Sequence, residues 1–267
     1  MSSEYARVAT DALPEALRPD YLTPNAAIGI AFLAGALFLA LAAWFLLKKK
    51  KGAKRDKVLL TGLSEAGKTV LFMQLRHGET VATHTSMESN ESRFSLPTSY
   101  STPTTPGPSV HLVDLPGHEK LRFKYTEHIA TTGAIVFVLD STTIARDLRA
   151  VAEYLYDILV NRYTQRNEVP LLVLCNKSEL LMALPVEKIR VLLEGEIEKL
   201  RTSRAAEIQS LDDSGEQEEL LGVEGEKFAF EQLANPVSFA KCSLIAPAGE
   251  AHPRGPREVM DFIENVL

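Results

Sequence analysis

The stretch Gly62-Leu63-Ser64-Glu65-Ala66-Gly67-Lys68-Thr69 satisfies the pattern G-x-x-x-x-G-K-[ST] at every fixed position. Val58-Leu59-Leu60 leads in as a short apolar run that reads as a buried strand, and Thr69-Val70-Leu71-Phe72-Met73-Gln74-Leu75 leaves with the spacing of a helix. In that context the loop is an anion cradle. Glycine at 62 and 67 lets the backbone turn tightly and aim successive N–H groups inward, where together with the helix start they bind phosphate. Residues Gly62 to Val70 are therefore expected at a phosphate chain, with Lys68 adding a point charge for the outer phosphates and the Thr69 hydroxyl placed for Mg²⁺.

Outward from this stretch, short β-branched runs alternate with longer helical ones, which predicts an α/β fold with helices around a mostly parallel sheet. Strands are expected at Val58-Leu60, Val110-Leu115, Ile135-Asp140, Leu171-Cys175 and Val237-Cys242. Helices are expected at Lys68-Arg76, Lys120-Ala130, Ala145-Asn161, Pro185-Arg204 and Arg257-Leu267. In the last of these Val259, Phe262, Ile263 and Val266 form an apolar stripe fit to cover the sheet. Gly78 to Gly107 is dense in Ser, Thr and Pro and reads as a long loop holding one strand near Arg93-Leu96.

Two strand ends carry chemistry. Asp114-Leu115-Pro116-Gly117-His118 is D-x-x-G at the end of a strand, where Asp114 can reach a magnesium ion, directly or through water, and the Gly117 N–H can meet a terminal phosphate. Alone it is a weak motif; 45 residues after the cradle's Thr69 it supplies the metal carboxylate and phosphate sensor that a nucleoside-triphosphate site needs. Asn176-Lys177-Ser178-Glu179, after Leu171-Cys175, is N-K-x-acid. A carboxylate at 179 accepts both the ring N–H and the exocyclic amine of guanine, whereas adenine offers the opposite pattern. Asn176 bonds the base and the loop, and the Lys177 stem lies over the base face. Aspartate is the usual acid here, and Glu179 is one methylene longer.

The 267 residues, 45% hydrophobic and 24% charged, suffice for one well-buried domain plus an appendage. A net charge of −6 gives no sign of direct nucleic-acid binding. The cysteines, Cys175 and Cys242, each end an apolar strand-like run, which predicts buried thiols rather than a disulfide framework. Ala26 to Leu47 is a run of 22 residues without a charge; at ~1.5 Å per residue it matches a hydrocarbon core of ~30 Å. Lys48 to Lys51 follow it directly, with Trp44 a turn before its end, as an interfacial anchor would. Glu4, Asp11, Glu15 and Asp20 outnumber Arg7 and Arg18 ahead of it, the opposite of a cleaved leader. The expected organisation is a short lumenal or external tail (1–25), a transmembrane signal anchor (26–47), a basic cytoplasmic linker (48–56) and a nucleotide domain (57–267) with an acidic, exposed insertion at 205–226.

The order GLSEAGKT, DLPGH, NKSE behind an N-terminal anchor resembles the beta subunits of the signal recognition particle receptor, GTPases related to the Ras and ADP-ribosylation-factor families. Asp114 to Glu119 with Leu121-Arg122, Ala134 to Ser141, and Val151 to Tyr156 carry the more specific likeness. The resemblance implies a Ras-like fold with a mostly parallel six-stranded sheet, preceded by one transmembrane helix in the endoplasmic reticulum membrane, N-terminus lumenal. It implies GTP and GDP as ligands with Mg²⁺, and a first switch at Thr85-Ser86, one of whose hydroxyls approaches the metal and γ-phosphate. It puts the last base-contacting loop at Cys242-Ser243-Leu244-Ile245, where Leu244 and Ile245 depart from the usual Ser-Ala-Lys and leave the contact to Ser243 and the Leu244 backbone. His118 stands where many small GTPases carry the glutamine that orients water, so slow hydrolysis is expected. The implied partner is the receptor's alpha subunit, held at the membrane and through it linked to the signal recognition particle, the ribosome and the translocon. A membrane-anchored trafficking GTPase of the ADP-ribosylation-factor type and a non-hydrolysing GTP-dependent scaffold are the alternatives.

Overall fold

The computed structural model describes residues 55–78, 83, 86–95, 109–210, 221–223, 225–245 and 255–266, together with Gly35. The chain divides into two units, Met1–Lys54 and Arg55–Leu267. The expected membrane span, Gly35 excepted, the basic residues 48–54, Thr85 and residues 211–220 of the acidic stretch lie outside the described residues. Among the described residues no helix is long and apolar enough to cross a membrane.

The second unit is built on a six-stranded sheet of β1 (Lys57–Thr61), β2 (Asn90–Ser95), β3 (Ser109–Asp114), β4 (Thr132–Asp140), β5 (Leu171–Asn176) and β6 (Val237–Lys241), in the order β2-β3-β1-β4-β5-β6. Neighbours are parallel except β2, which pairs antiparallel with β3 in the register Asn90↔Asp114. The central strands read as continuous apolar runs because helices cover both of their faces, and β5 is buried at all six positions. Polar NESRFS alternates intermediate and exposed positions, as an edge strand does.

One face carries α1 (Lys68–His77) and α6 (Gly255–Val266), whose Leu71, Phe72, Val259 and Ile263 pack on Val58, Leu60, Val136 and Leu174. The expected stripe on the last helix is that packing face, with Phe262 and Val266 partly buried at its margin. The other face carries α3 (Ile144–Val160) and α5 (Val186–Ser210), whose Val151, Leu155, Ile189 and Leu193 pack on Leu59, Ile135, Phe137 and Val173. Cys175 belongs to this face and Cys242 to the opposite one, both as free thiols. Burial pushes the Cys175 thiol up to about 12 and raises that of Cys242 as well.

Three segments depart from the sequence reading. The expected helix over Lys120-Ala130 is a 3₁₀ segment, Glu119–Lys124, followed by the short α2 (Tyr125–Ile129). No residue of Glu119–Lys124 is buried, so no apolar face holds it in regular α turns. Beyond α3, Asn161 accepts a hydrogen bond from the Tyr163 N–H at 3.0 Å and caps a further short helix, α4 (Arg162–Arg166). Helix α5 runs to Ser210, six residues past its expected end, and so into the acidic stretch. The far end of that stretch is anchored too. Leu221 is fully buried, and the buried Arg201 guanidinium donates to the carbonyls of Leu221 (3.2 Å), Val223 (3.0 Å) and Glu226.

Candidate functional site

With β3 on one side of β1 and β4 on the other, the strand order reverses at β1, and ligands of such sheets bind outside the carboxyl ends of the strands at that point. The described cavity opens there, lined by the loop before α1, the segment after β3, the segment after β5 and the loop after β6.

The loop delivers the chain to α1 through three residues with positive φ, Gly62 (129°), Glu65 (63°) and Gly67 (100°). A non-glycine residue such as Glu65 enters that region at a cost of roughly 1–3 kcal/mol. At Gly67 the constraint is double, since a Cβ there would lie 2.4 Å from Asn176 Nδ2. Gly67 is also the N-cap of α1 and supplies no capping side chain, and no acidic residue stands in the first turn. The helix start is thus left with free N–H groups and the positive end of its dipole.

Lys68 is 6% exposed and donates from Nζ to the Leu63 carbonyl at 2.6 Å. Burial lowers its pKa to about 8, partly offset by the Asp114 charge. Asp114, the last residue of β3, is fully buried. Its Oδ2 accepts from Thr69 Oγ1 at 2.8 Å and from Asn90 Nδ2 at 3.2 Å, while its Oδ1 is buried with no hydrogen-bond partner. Burial raises the Asp114 pKa, against the pull of the bonds from Thr69 and Asn90 and the Lys68 charge. The Thr69 hydroxyl also lies 3.2 Å from Ser86 Oγ. Gly117 is pressed onto the cradle so closely that a Cβ would lie 2.5 Å from Lys68 Nζ and from Ser64 N. A buried carboxylate with an unused oxygen, flanked by hydroxyls, suits a hard divalent cation, and the adjoining amides and ammonium suit phosphate oxygens.

The other end of the cavity is knit by longer-range bonds. Asn176 Nδ2 donates to the Ala66 carbonyl at 2.8 Å, fastening β5 to the cradle. Lys177 (φ 60°) pairs with Asp140 at 2.6 Å, and the Ser178 N–H and hydroxyl both donate to the Cys242 carbonyl, at 3.1 and 2.7 Å. Gln74, on α1, donates to the Leu244 carbonyl at 2.6 Å.

Of the residues expected at the site, Ser64, Glu65, Gly67, Lys68, Thr69, Val70, Gly117, Asn176, Lys177, Glu179 and Leu244 line the cavity. Gly62, Leu63, Ala66 and Asp114 stand behind that lining. Ser243 is buried and donates to the Ile245 carbonyl at 2.6 Å, so its hydroxyl closes the loop. His118 is exposed, does not line the cavity, and accepts from the Lys120 N–H through Nδ1 at 3.3 Å. Sequence reasoning passed over Thr83, Leu115 and Pro116 in the lining, and Asn90, Gln74 and Asp140 behind it; Ile245, placed in the last base-contacting loop but given no contact, also lines the cavity. The D-x-x-G motif itself contains Leu115 and Pro116; nothing in the local sequence of Thr83, Asn90, Gln74 and Asp140 distinguishes them.

The sheet order, the glycine cradle with Lys68 and Thr69, the strand-end Asp114 and the Asn176-Lys177 pair define a small GTPase of the phosphate-loop class. A family profile described as "Signal recognition particle receptor beta subunit" matches residues 53–237. The chain is 35% identical over 236 residues to the signal recognition particle receptor subunit beta of Rattus norvegicus, covering 88% of this chain and 84% of the relative. Among solved structures, "The Structure of the Mammalian SRP Receptor" matches with a TM-score of 0.66 and 31% identity over 79% of this chain and 100% of the other. The "SRb-GTP/SRX complex" of the receptor from Chaetomium thermophilum shares the fold, with a TM-score of 0.64 and 23% identity over 79% of this chain and 100% of the other. The chain belongs to the signal recognition particle receptor beta subunit family.

Proposed function

We propose that this protein is a guanine-nucleotide switch tethered to the endoplasmic reticulum membrane, whose output is binding of the receptor's alpha subunit. One observation carries the nucleotide reading. The buried Asp114 carboxylate has an oxygen without a partner, beside the Thr69 hydroxyl and next to a helix start without capping side chain or acidic residue. The carboxylate calls for a cation and the helix start for an anion, and a magnesium nucleotide answers both. Thr69 and Asp114 would hold the ion, with a switch hydroxyl from Ser86 or its neighbour Thr85; the contact between Thr69 and Ser86 favours Ser86. Bound there, Mg²⁺ would supply charge neutralisation for the outer phosphates. Backbone N–H groups from Ser64 to Val70 and at Gly117 would take the phosphates. Asn176, Lys177, Glu179 and the Ser243-Leu244 loop would take guanine.

Turnover is secondary in this reading. The exposed His118 ring is engaged by the Lys120 amide, which favours slow hydrolysis of GTP to GDP and a nucleotide state read by a partner. The partner assignment follows the family, and the neighbouring complex is described with GTP and SRX. The tether is Ala26 to Leu47, with 1–25 lumenal and 57–267 cytoplasmic; its support is the uncharged run and the Lys48–Lys51 flank. The signal recognition particle, ribosome and translocon are reached through the alpha subunit.

The test is binding of labelled GTP by the full-length chain in detergent with Mg²⁺, followed by alpha-subunit capture on GTP-loaded, GDP-loaded and Lys68→Ala protein. Uptake of GTP, and retention of the alpha subunit mainly by the GTP form, is expected. Folded protein that takes up no GTP refutes the nucleotide reading, and equal capture by all three forms refutes the switch.

A further inference from the structure

We infer that Asp140 is a positioning residue for base recognition, holding the Lys177 ammonium so that the lysine stem walls the base pocket and Glu179 stays available to guanine. The inference rests on the guanine-nucleotide reading above. Asp140 ends β4 and is registered against Asn176 at the end of β5, which sets its side chain beside the first residue past that strand. Its carboxylate is used on both sides. Oδ1 accepts from the Thr142 N–H at 2.8 Å and the Thr142 hydroxyl at 2.6 Å, and Oδ2 meets Lys177 Nζ at 2.6 Å. The Asp140 side chain is 10% exposed and that of Lys177 32%, so the pair is largely shielded from water. Burial by itself raises the Asp140 pKa, but the hydrogen bonds from Lys177 and Thr142 outweigh it and keep the carboxyl below the usual range, ionised at neutral pH.

Two features of Lys177 make such an anchor necessary. Its backbone is left-handed, and its side chain is a flexible four-carbon stem ending in a strongly hydrated point charge. With the head free, the stem samples many rotamers and defines no surface. The cavity that Lys177 lines contains two other carboxylates, Glu65 and Glu179. A released ammonium would pair with one of them, and pairing with Glu179 would consume the acceptor that reads the guanine edge. Asp140 does not line the cavity; it acts through Lys177.

The experiment is competition against labelled GTP on the full-length protein by GTP, ATP and inorganic tripolyphosphate, for the wild type, Asp140→Asn, Lys177→Met and the double variant. For Asp140→Asn we expect GTP affinity to fall roughly tenfold, as for loss of one partner of a shielded charge pair. Tripolyphosphate should stay unchanged and the GTP-to-ATP preference should shrink. In the Lys177→Met background Asp140→Asn should add nothing. A merely structural role would weaken all three competitors together, and that pattern, or an unchanged GTP-to-ATP ratio, overturns the inference. Wild-type protein that fails to take up GTP refutes the guanine-nucleotide reading instead. Should Asp140→Asn not fold, Thr142→Val, which loosens the same carboxylate, is expected to move the ratio roughly two- to threefold in the same direction, and an unmoved ratio overturns the inference equally.

Discussion

The two ends of the cavity are built on different plans. At the proposed phosphate end most of the groups offered to a ligand come from one short stretch, Ser64 to Val70, joined by Gly117, and Lys68 is bonded only five residues back to Leu63. At the proposed base end the ties run between separate parts of the chain: Gln74 reaches 170 residues to Leu244, Ser178 reaches 64 to Cys242, and Lys177 reaches 37 back to Asp140. A phosphate is a multiply charged anion and is met by backbone N–H groups, which any short loop of the right shape supplies. A base is flat and only partly polar, so recognising it takes several surfaces held at fixed spacing. The base end should therefore be the more sensitive to changes outside its lining, and the phosphate end the more sensitive to charge within it.

The largest effect should come from Lys68→Met. Loss of a buried charge at an anion site should lower affinity for GTP, ATP and tripolyphosphate alike, on the order of a hundredfold, measured by equilibrium competition. The same change should stabilise the nucleotide-free protein, because a lysine whose pKa falls from 10.5 to about 8 is an unfavourable buried charge. The sign follows from proton counting. Between pH about 8 and 10.5 the unfolded chain keeps a proton on this side chain that the folded chain has released, so wild-type stability rises across that window. The rise should be about 3 kcal/mol in denaturant titrations without nucleotide, and it should vanish in Lys68→Met. A loss confined to nucleotides with a base would break the contrast between the two ends.

Gln74→Leu attacks the other end from a distance. It removes the donor to the Leu244 carbonyl and so loosens the tie between the loop after β6 and α1. An unsatisfied buried carbonyl costs roughly 1–3 kcal/mol, and we expect GDP release to quicken roughly tenfold with tripolyphosphate affinity held. Equal loss for both ligands would mean that α1, and with it the phosphate end, had moved.

The same contrast accounts for what was legible in the sequence. The cradle, Asp114, Gly117 and the Asn176-Lys177-Glu179 group were found because each is a local pattern whose chemistry fixes its spacing. The central strands were found because burial on both faces leaves continuous apolar runs such as Leu171 to Cys175. Gln74 and Asp140 were not, since a glutamine on a helix and an aspartate at a strand end read as ordinary surface or capping residues until the fold brings Leu244 and Lys177 to them. Lys120-Ala130 reads as one helix because its composition allows one, and only the lack of buried residues over Glu119–Lys124 decides otherwise for its first part. Leu221 and Arg201 escaped for a related reason. The charge of the acidic stretch pointed to solvent, but one guanidinium meeting three carbonyls pins the returning chain to the core.

The smallest effect should come from Asn90→Ala, which probes whether the edge strand belongs functionally to the phosphate end. Asn90 opens β2 and donates to the Asp114 oxygen that also accepts from Thr69. Its removal leaves that oxygen with one donor fewer while the carboxylate stays buried, so the Asp114 pKa, already raised by burial, should rise further. A carboxylate that is harder to ionise holds a cation less readily, and holding it releases a proton. The Mg²⁺ concentration for half-maximal GTP binding should therefore increase roughly threefold, a fraction of the worth of one hydrogen bond to a charged group. The increase should be larger at pH 6 than at pH 8, where proton competition is weaker. Affinity measured in saturating Mg²⁺ should hardly move, because the cation then outcompetes the proton. If saturating Mg²⁺ fails to restore binding, Asn90 acts on the shape of the cradle rather than on the charge of Asp114, and the phosphate end is less self-contained than the short Ser64–Val70 stretch suggests.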